Sequence, residues 1–363
     1  MAKKSKQVEQ ASVDKGENAI FNKETEGLSQ GQIVFRRFIR HRAAMISLVI
    51  FFFLVTLVYT ALDWRIGSKE DPFVIPGWWK YNFDEMPELV YEACPGRTVG
   101  CPTIDAVPFL DGDGIGLGDH PFGQDDIGRD YFSLVMRGAQ RSLQVMFIVG
   151  IIAATLGTVI GAISGYFRGW TDAILMRIVD FIITIPVIII GSVIGFHFGE
   201  KGAPFLALLL GLFAWTGLSR LVRGEFLSLR EREFVDAAKV AGASNRRIIF
   251  KHILPNAIGV IIVSVTLLLS AALLIETGLS FLGFGVKAPD VSLGLLISTY
   301  QDAFTTRPWL FWYPGIFIIS FALCINFIGD GLRDAFDPRQ RRRLSRKDKA
   351  NARKMKNRSE VVA

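Results

Sequence analysis

The chain alternates between long charge-free apolar blocks and strongly polar segments. Ala43 to Leu62 runs 20 residues without a charge, Ser142 to Phe167 runs 26, Phe181 to Phe196 runs 16 and Ala203 to Ser219 runs 17. Ile253 to Ile275 adds 23 and Pro308 to Gly329 adds 22. A helix crossing the hydrocarbon core of a bilayer needs about 20 apolar residues, with a range of roughly 17–25. The pattern therefore predicts an all-α polytopic membrane protein with six transmembrane helices, the third reaching full length only if its flanks are counted in. It divides the chain into a polar segment 1–42, a first span 43–62, a long insert 63–141, a core 142–338 carrying the other five spans, and a basic tail 339–363.

The distribution of Lys and Arg orients these spans. Segments 1–42, 168–177, 220–252 and the tail from Arg333 fall on one side and hold 31 basic residues, against ten on the other. Both termini are expected in the cytoplasm, with 63–141 outside. That insert also carries 14 Asp and Glu against seven Lys and Arg, which suits an extracytoplasmic loop. The first apolar block starts after 42 residues and has no small-residue cleavage pattern behind it, so it is expected to be retained rather than removed as a signal peptide.

Composition agrees: half of the 363 residues are hydrophobic and 29 are Phe, far beyond a soluble domain. The net charge of +7 does not point to nucleic acid, because twelve basic residues crowd into the last 31 positions. A juxtamembrane cluster of this kind suits a solvated cytoplasmic tail drawn to anionic lipid headgroups. Residues 1–27 are polar and mixed in charge, a composition expected to stay disordered. Ile33, Phe35, Phe38 and Ile39 then interleave with Arg36, Arg37, Arg40 and Arg42, either as an amphipathic helix in the headgroup region or as an extension of the first span.

Other local patterns leave alternatives open. Cys94 and Cys101 lie on the oxidising side and are close enough for a disulfide, or they are two free thiols; Cys324 falls inside the sixth block. Asp111, Asp113 and Asp119 hint at a calcium loop, but Ile115 and Phe122 break the EF-hand spacing and turn chemistry explains the Asp and Gly residues. Gly157, Gly161 and Gly165 form a small-residue stripe that lets another helix approach closely, within this chain or in a partner. No phosphate-binding P-loop, His-Glu-x-x-His or Gly-x-Ser-x-Gly pattern occurs, so no catalytic or metal site is expected on this chain. Asp180 and Glu276 are carboxylates at block edges, where a membrane-interface location is expected, and no paired half-helices are evident.

The segment 220–256 is polar yet helix-compatible. Glu233 to Ala241 lacks Gly and Pro, Gly242 marks a stop, and Ala243-Ser244-Asn245 offers a turn with a new N-cap. A second short helix, Arg246 to Leu254, is expected to end where Pro255 starts the next span. Small Ala237 and Ala238 suit a helix that enters a groove on a soluble partner, with Asp236 capping or pairing with a partner Arg.

These residues carry a resemblance. Glu233, Asp236-Ala237-Ala238, Gly242 and Leu254-Pro255 look like the ATPase-coupling motif of ABC importer permeases, with Asp236 where Glu is usual. The run His120-Pro-Phe-Gly-Gln-Asp125-Asp126-Ile-Gly128-Arg129-Asp130 with Arg137-Gly138-Ala139, the run Glu276-Thr-Gly278-Leu-Ser280-Phe-Leu-Gly283-Phe-Gly285, and Gly329-Asp330-Gly331 with Asp337-Pro338-Arg339 are similar to the C-type subunit of the dipeptide/oligopeptide/nickel permease family. The resemblance implies a type I ABC importer fold that pairs with a B-type permease subunit, two cytoplasmic ATPases and an extracytoplasmic substrate-binding protein. It implies ATP and Mg on the partner ATPases, no cofactor on this chain, and import of oligopeptides or dipeptides, with nickel chelates or glycans as alternatives. An ion-coupled secondary transporter is the rival class.

Overall fold

The structure is a computed structural model and describes residues 30–67, 72–89, 100–103 and 118–337. The N-terminal residues 1–29, Cys94, most of the acidic loop around Asp111 and the tail from 338 lie outside the described residues.

The chain forms two compact units. In the first, α1 (Gln30–Arg40) is a separate helix that stops before His41 rather than extending the first span. Arg37 Nη1 donates to the Asp337 carbonyl at 3.1 Å, and His41 Nε2 lies 3.4 Å from Asp334 Oδ2.

The second unit holds the membrane helices. α2 (Arg42–Ala61) follows from an uninterrupted apolar run without Gly or Pro, and a hairpin of β1 (Trp64–Gly67) and β2 (Pro72–Ile75) comes after it. α3 (Tyr131–Phe167) begins eleven residues before its apolar block, so the boundary expected at 141/142 is corrected: Arg137 and Arg141 are helical. The reason is a cap. Asp130 accepts from Ser133 N at 2.8 Å, so helix starts there whatever the hydropathy. At 37 residues α3 is about 55 Å long, so its first turns stand clear of the hydrocarbon.

The absence of paired half-helices is also corrected. α4 (Gly169–Ile183) and the helix α5 (Val187–Phe198), prolonged by a 3₁₀ turn to Lys201, bend by 75° across Thr184–Pro186. Pro186 has no N–H to continue the ladder and disfavours helical backbone at Ile185, so the block Phe181–Phe196 straddles the break. A second pair, α6 (Ala203–Ala214) and α7 (Thr216–Arg230), bends by 40° at Trp215. α8 (Glu233–Val240) precedes α9 (Asn245–Phe281), α10 (Leu293–Tyr300) and α11 (Trp309–Phe336). By length and composition α2, α3, α9 and α11 can each cross a membrane, and the two bent pairs bring the number to as many as six.

α3 is the axis of the second unit and packs along α6, α7, α9 and α10. The glycine stripe explains its approach to α7. A Cβ at Gly157 would lie 2.9 Å from the Trp215 carbonyl, at Gly161 2.5 Å from that of Ser219 and at Gly165 2.7 Å from that of Arg223. The stripe therefore serves packing within this chain. Arg223 closes the same seam, gripping Asp172 of α4 with Nε and Nη2 at 2.5 and 2.6 Å.

At the end of the unit near the start of α3, the run 120–130 is a buried polar knot. Asp130 also receives His120 Nδ1 at 2.8 Å and Trp79 Nε1 at 2.9 Å. Asp125 accepts from Arg129 Nε at 2.7 Å and from the Tyr300 hydroxyl at 3.0 Å. Burial, and after it the Asp125 carboxylate, push the Tyr300 phenol up, so it remains a donor at any physiological pH. Gly123 takes a positive φ where a Cβ would strike the Gly100 carbonyl at 2.5 Å. Cys101 is disulfide-bonded, Cys324 is free and buried, and Cys94 lies outside the described residues.

Candidate coupling surface

α8 ends in a Schellman turn. Gly242 N donates to the Lys239 carbonyl at 2.9 Å and Ala243 N to that of Ala238 at 3.0 Å, with Gly242 at φ 76°. Ser244 then caps α9 through Arg247 N at 3.4 Å. The stop, the turn and the new cap fall where the sequence places them.

Val235 fixes the helix. It is fully buried in a cluster with Phe226, Ile248, Ile249, Ile253 and Ala257, against which Ala238, Ala243 and Leu254 also pack. With that side held, the other side points outward. Glu233, Phe234, Ala237 and Ala241 are exposed, and Val240 is 90% exposed. Asp236 is exposed and pairs with Lys239 Nζ at 2.9 Å. Beside this face Ser244, Arg246, Arg247, Phe250 and Lys251 line a shallow depression of about 350 Å³.

The motif residues thus divide. Ala237 and Gly242 lie open at the surface, Ala238 and Leu254 brace the segment from beneath, and Pro255 is exposed beyond the joint. The expected break at Pro255 is corrected: α9 is continuous from Asn245, with a π-helical stretch Ile248–Ile253 just ahead of the proline. The wider turn accommodates a residue that lacks an N–H and crowds the preceding turn. One rigid rod therefore joins the surface turn to the membrane span. Tyr166, near the end of α3, adds a strut by donating its hydroxyl to Asn245 Oδ1 at 2.8 Å, and Arg230 donates to the Tyr166 carbonyl.

Sequence reasoning missed Val235, the one buried position in α8. Its signal was present: an apolar residue three before Ala238 on a short amphipathic helix. Sequence reasoning also gave no sign that Glu276 has no exposure at all within the chain. Ser280 Oγ donates to Glu276 Oε1 at 2.7 Å, and Ser142 and Ser292 lie beside the carboxyl. These three hydroxyls come from α9, α3 and the cap of α10, a convergence that only the fold creates. Asp180 does lie half-exposed, 2.5 Å from Arg220 Nη2.

A family model described as the binding-protein-dependent transport system inner membrane component matches residues 157–342, just over half of the chain. The chain belongs to this family. A second model, the N-terminal TM domain of oligopeptide transport permease C, matches residues 29–81. The oligopeptide transport system permease protein OppC of Mycobacterium tuberculosis is 37% identical over 318 residues, 87% of this chain and 97% of that protein. OppC of Haemophilus influenzae is 34% identical over 329 residues, 91% and 95% of the two chains. A solved inward-facing MetNI methionine ABC transporter aligns with a TM-score of 0.47 at 19% identity, over 56% of this chain and 96% of that one. As an inner membrane transport component, the chain is a multi-pass permease. Its surface turn at 233–251 and its buried glycine seam at 157–165 both lie inside the matched region.

Proposed function

We propose that this permease is one of two membrane subunits of an ATP-driven importer of oligopeptides, and that α8 with the turn after it receives the stroke of a cytoplasmic ATPase. The observation that carries the reading is the outward face of α8, apolar at Phe234, Ala237 and Val240, on a helix whose opposite side is locked by Val235. A helix with one side fixed and the other bare is suited to a groove on a soluble partner. Support for peptide as the cargo comes from the relatives, whose names specify oligopeptide transport. In this reading ATP and Mg sit on two ATPase subunits, a B-type permease completes the path, and an extracytoplasmic binding protein delivers the substrate.

Reconstituting the permease pair, the ATPases and the binding protein in vesicles tests it. Peptide uptake should require both ATP and the binding protein. Uptake driven by an ion gradient without ATP would overturn the reading, and uptake of a nickel chelate or glycan in place of peptide would reassign the cargo.

The orientation belongs to the same proposal and rests on 31 basic residues against ten. A reporter active only outside should function when fused within 80–110, and one active only inside should function when fused after Asp337. The opposite pattern would put α8 on the wrong side for an ATPase.

A further inference from the structure

The hairpin β1–β2 has no part in the proposed coupling, yet it presents hydrophobic surface in an unusual place. α2 is 20 residues long, about 30 Å, which matches the hydrocarbon thickness of a bilayer, so Ala61 lies at its edge. The hairpin is clamped to that edge. Trp64 Nε1 donates to the Tyr59 carbonyl at 2.7 Å, Trp79 N to that of Ala61 at 3.0 Å, and Trp78 Nε1 to Thr60 Oγ1 at 3.2 Å. Gly77 is pressed so close that a Cβ would fall 2.3 Å from the Ala61 carbonyl.

The register puts Trp64 opposite Ile75, and Phe73 lies two residues before Ile75 on the same face of the hairpin. Trp64 and Ile75 are exposed and Phe73 is 69% exposed. Two strands alone are marginal in water, and a bare aromatic face makes them more so. Below the clamp, α2 itself is exposed at Val49, Phe52 and Phe53, the side-chain chemistry that faces lipid. A two-stranded sheet leaves one edge of each strand outside the ladder, an arrangement that suits a hydrated headgroup zone better than hydrocarbon. Indole and phenyl rings at span ends favour that zone.

From this placement we infer that the Phe73/Ile75 face of the hairpin rests on the headgroup region of the lipid leaflet at the C-terminal end of α2. It sets the tilt and depth of the first span there. The inference rests on α2 crossing the membrane and not on the transported substrate.

Site-directed bimane labelling of the assembled, transport-competent importer in lipid nanodiscs tests it, in a Cys324→Ala background with Phe73→Cys, Ile75→Cys or Val74→Cys. Spin labels at the lipid headgroup should quench the probe at positions 73 and 75 at least about twofold more than at 74, which faces the other way. Spin labels at the bilayer centre should quench none of them. Equal or absent headgroup quenching at the three positions overturns the inference. So does shielding at 73 and 75 that follows the second permease subunit or the binding protein instead of lipid, which would make the face a protein contact. Peptide uptake by each labelled variant confirms that the probe reports on a folded protein. Failure of ATP-driven uptake in the parent importer would strike the proposed function alone.

Discussion

Replacing Gly242 with Arg, or Ala237 with Glu, is expected to reduce uptake to background while membrane insertion stays normal. Both residues are exposed, and nothing lies within 4 Å of a Cβ at Gly242, so neither side chain clashes inside this chain. Two effects combine at Gly242. Its φ of 76° costs an L residue roughly 1–2 kcal/mol, which loosens the Schellman turn. The guanidinium must then be buried unpaired in the partner's groove, a penalty of several kcal/mol. At tenfold per ~1.4 kcal/mol, ATPase affinity should fall by about a hundredfold or more. Ala237→Glu keeps the backbone intact and isolates the second effect. Gly242→Asn, which tolerates the left-handed region, should retain most of the activity. Normal uptake together with normal copurification of the ATPases in both charged variants would remove the coupling role of α8.

The second large effect concerns the seam between α3 and α7. Gly161→Leu should lower the thermal midpoint of the purified protein by roughly 1–4 °C, because overpacking costs typically about 1–3 kcal/mol. The first added carbon already meets the Ser219 carbonyl at 2.5 Å and Val222 Cβ at 2.8 Å, and backbone cannot rotate away as a side chain can. Uptake should fall with it, since Arg223 and Tyr166, which tie this seam to α4 and to the coupling turn, would shift. Gly224→Ala on the open side of α7 is the control: nothing lies within 4 Å of its Cβ, and Ala is the better helix former. An unchanged midpoint for Gly161→Leu, measured by differential scanning fluorimetry, would show that the two helices do not depend on close approach.

Both predictions start from residues that stand out in the sequence, and their reasons differ in origin. Gly242 is legible because a helix that ends needs a left-handed residue, and that requirement is local. The stripe Gly157, Gly161, Gly165 is legible as a contact because small residues four apart make a groove, yet the partner is not encoded locally. It is α7, found by chain folding.

The amino-acid order alone determined the apolar helices, the polar segment between α7 and α9, and the stop at Gly242, because each depends on hydropathy or backbone preference within a few residues. It also marked Pro186 and Pro255 without deciding their effect. The tertiary structure decided that Pro186 marks a 75° bend while Pro255 is absorbed by a π turn in a continuous helix whose start packs against Phe226 and Val235. It also decided that Glu276 is sealed beneath three serines from three elements, and that Val235 is the one fully buried residue of α8. Burial is a property of what other segments cover, and no residue carries that information in its own neighbourhood.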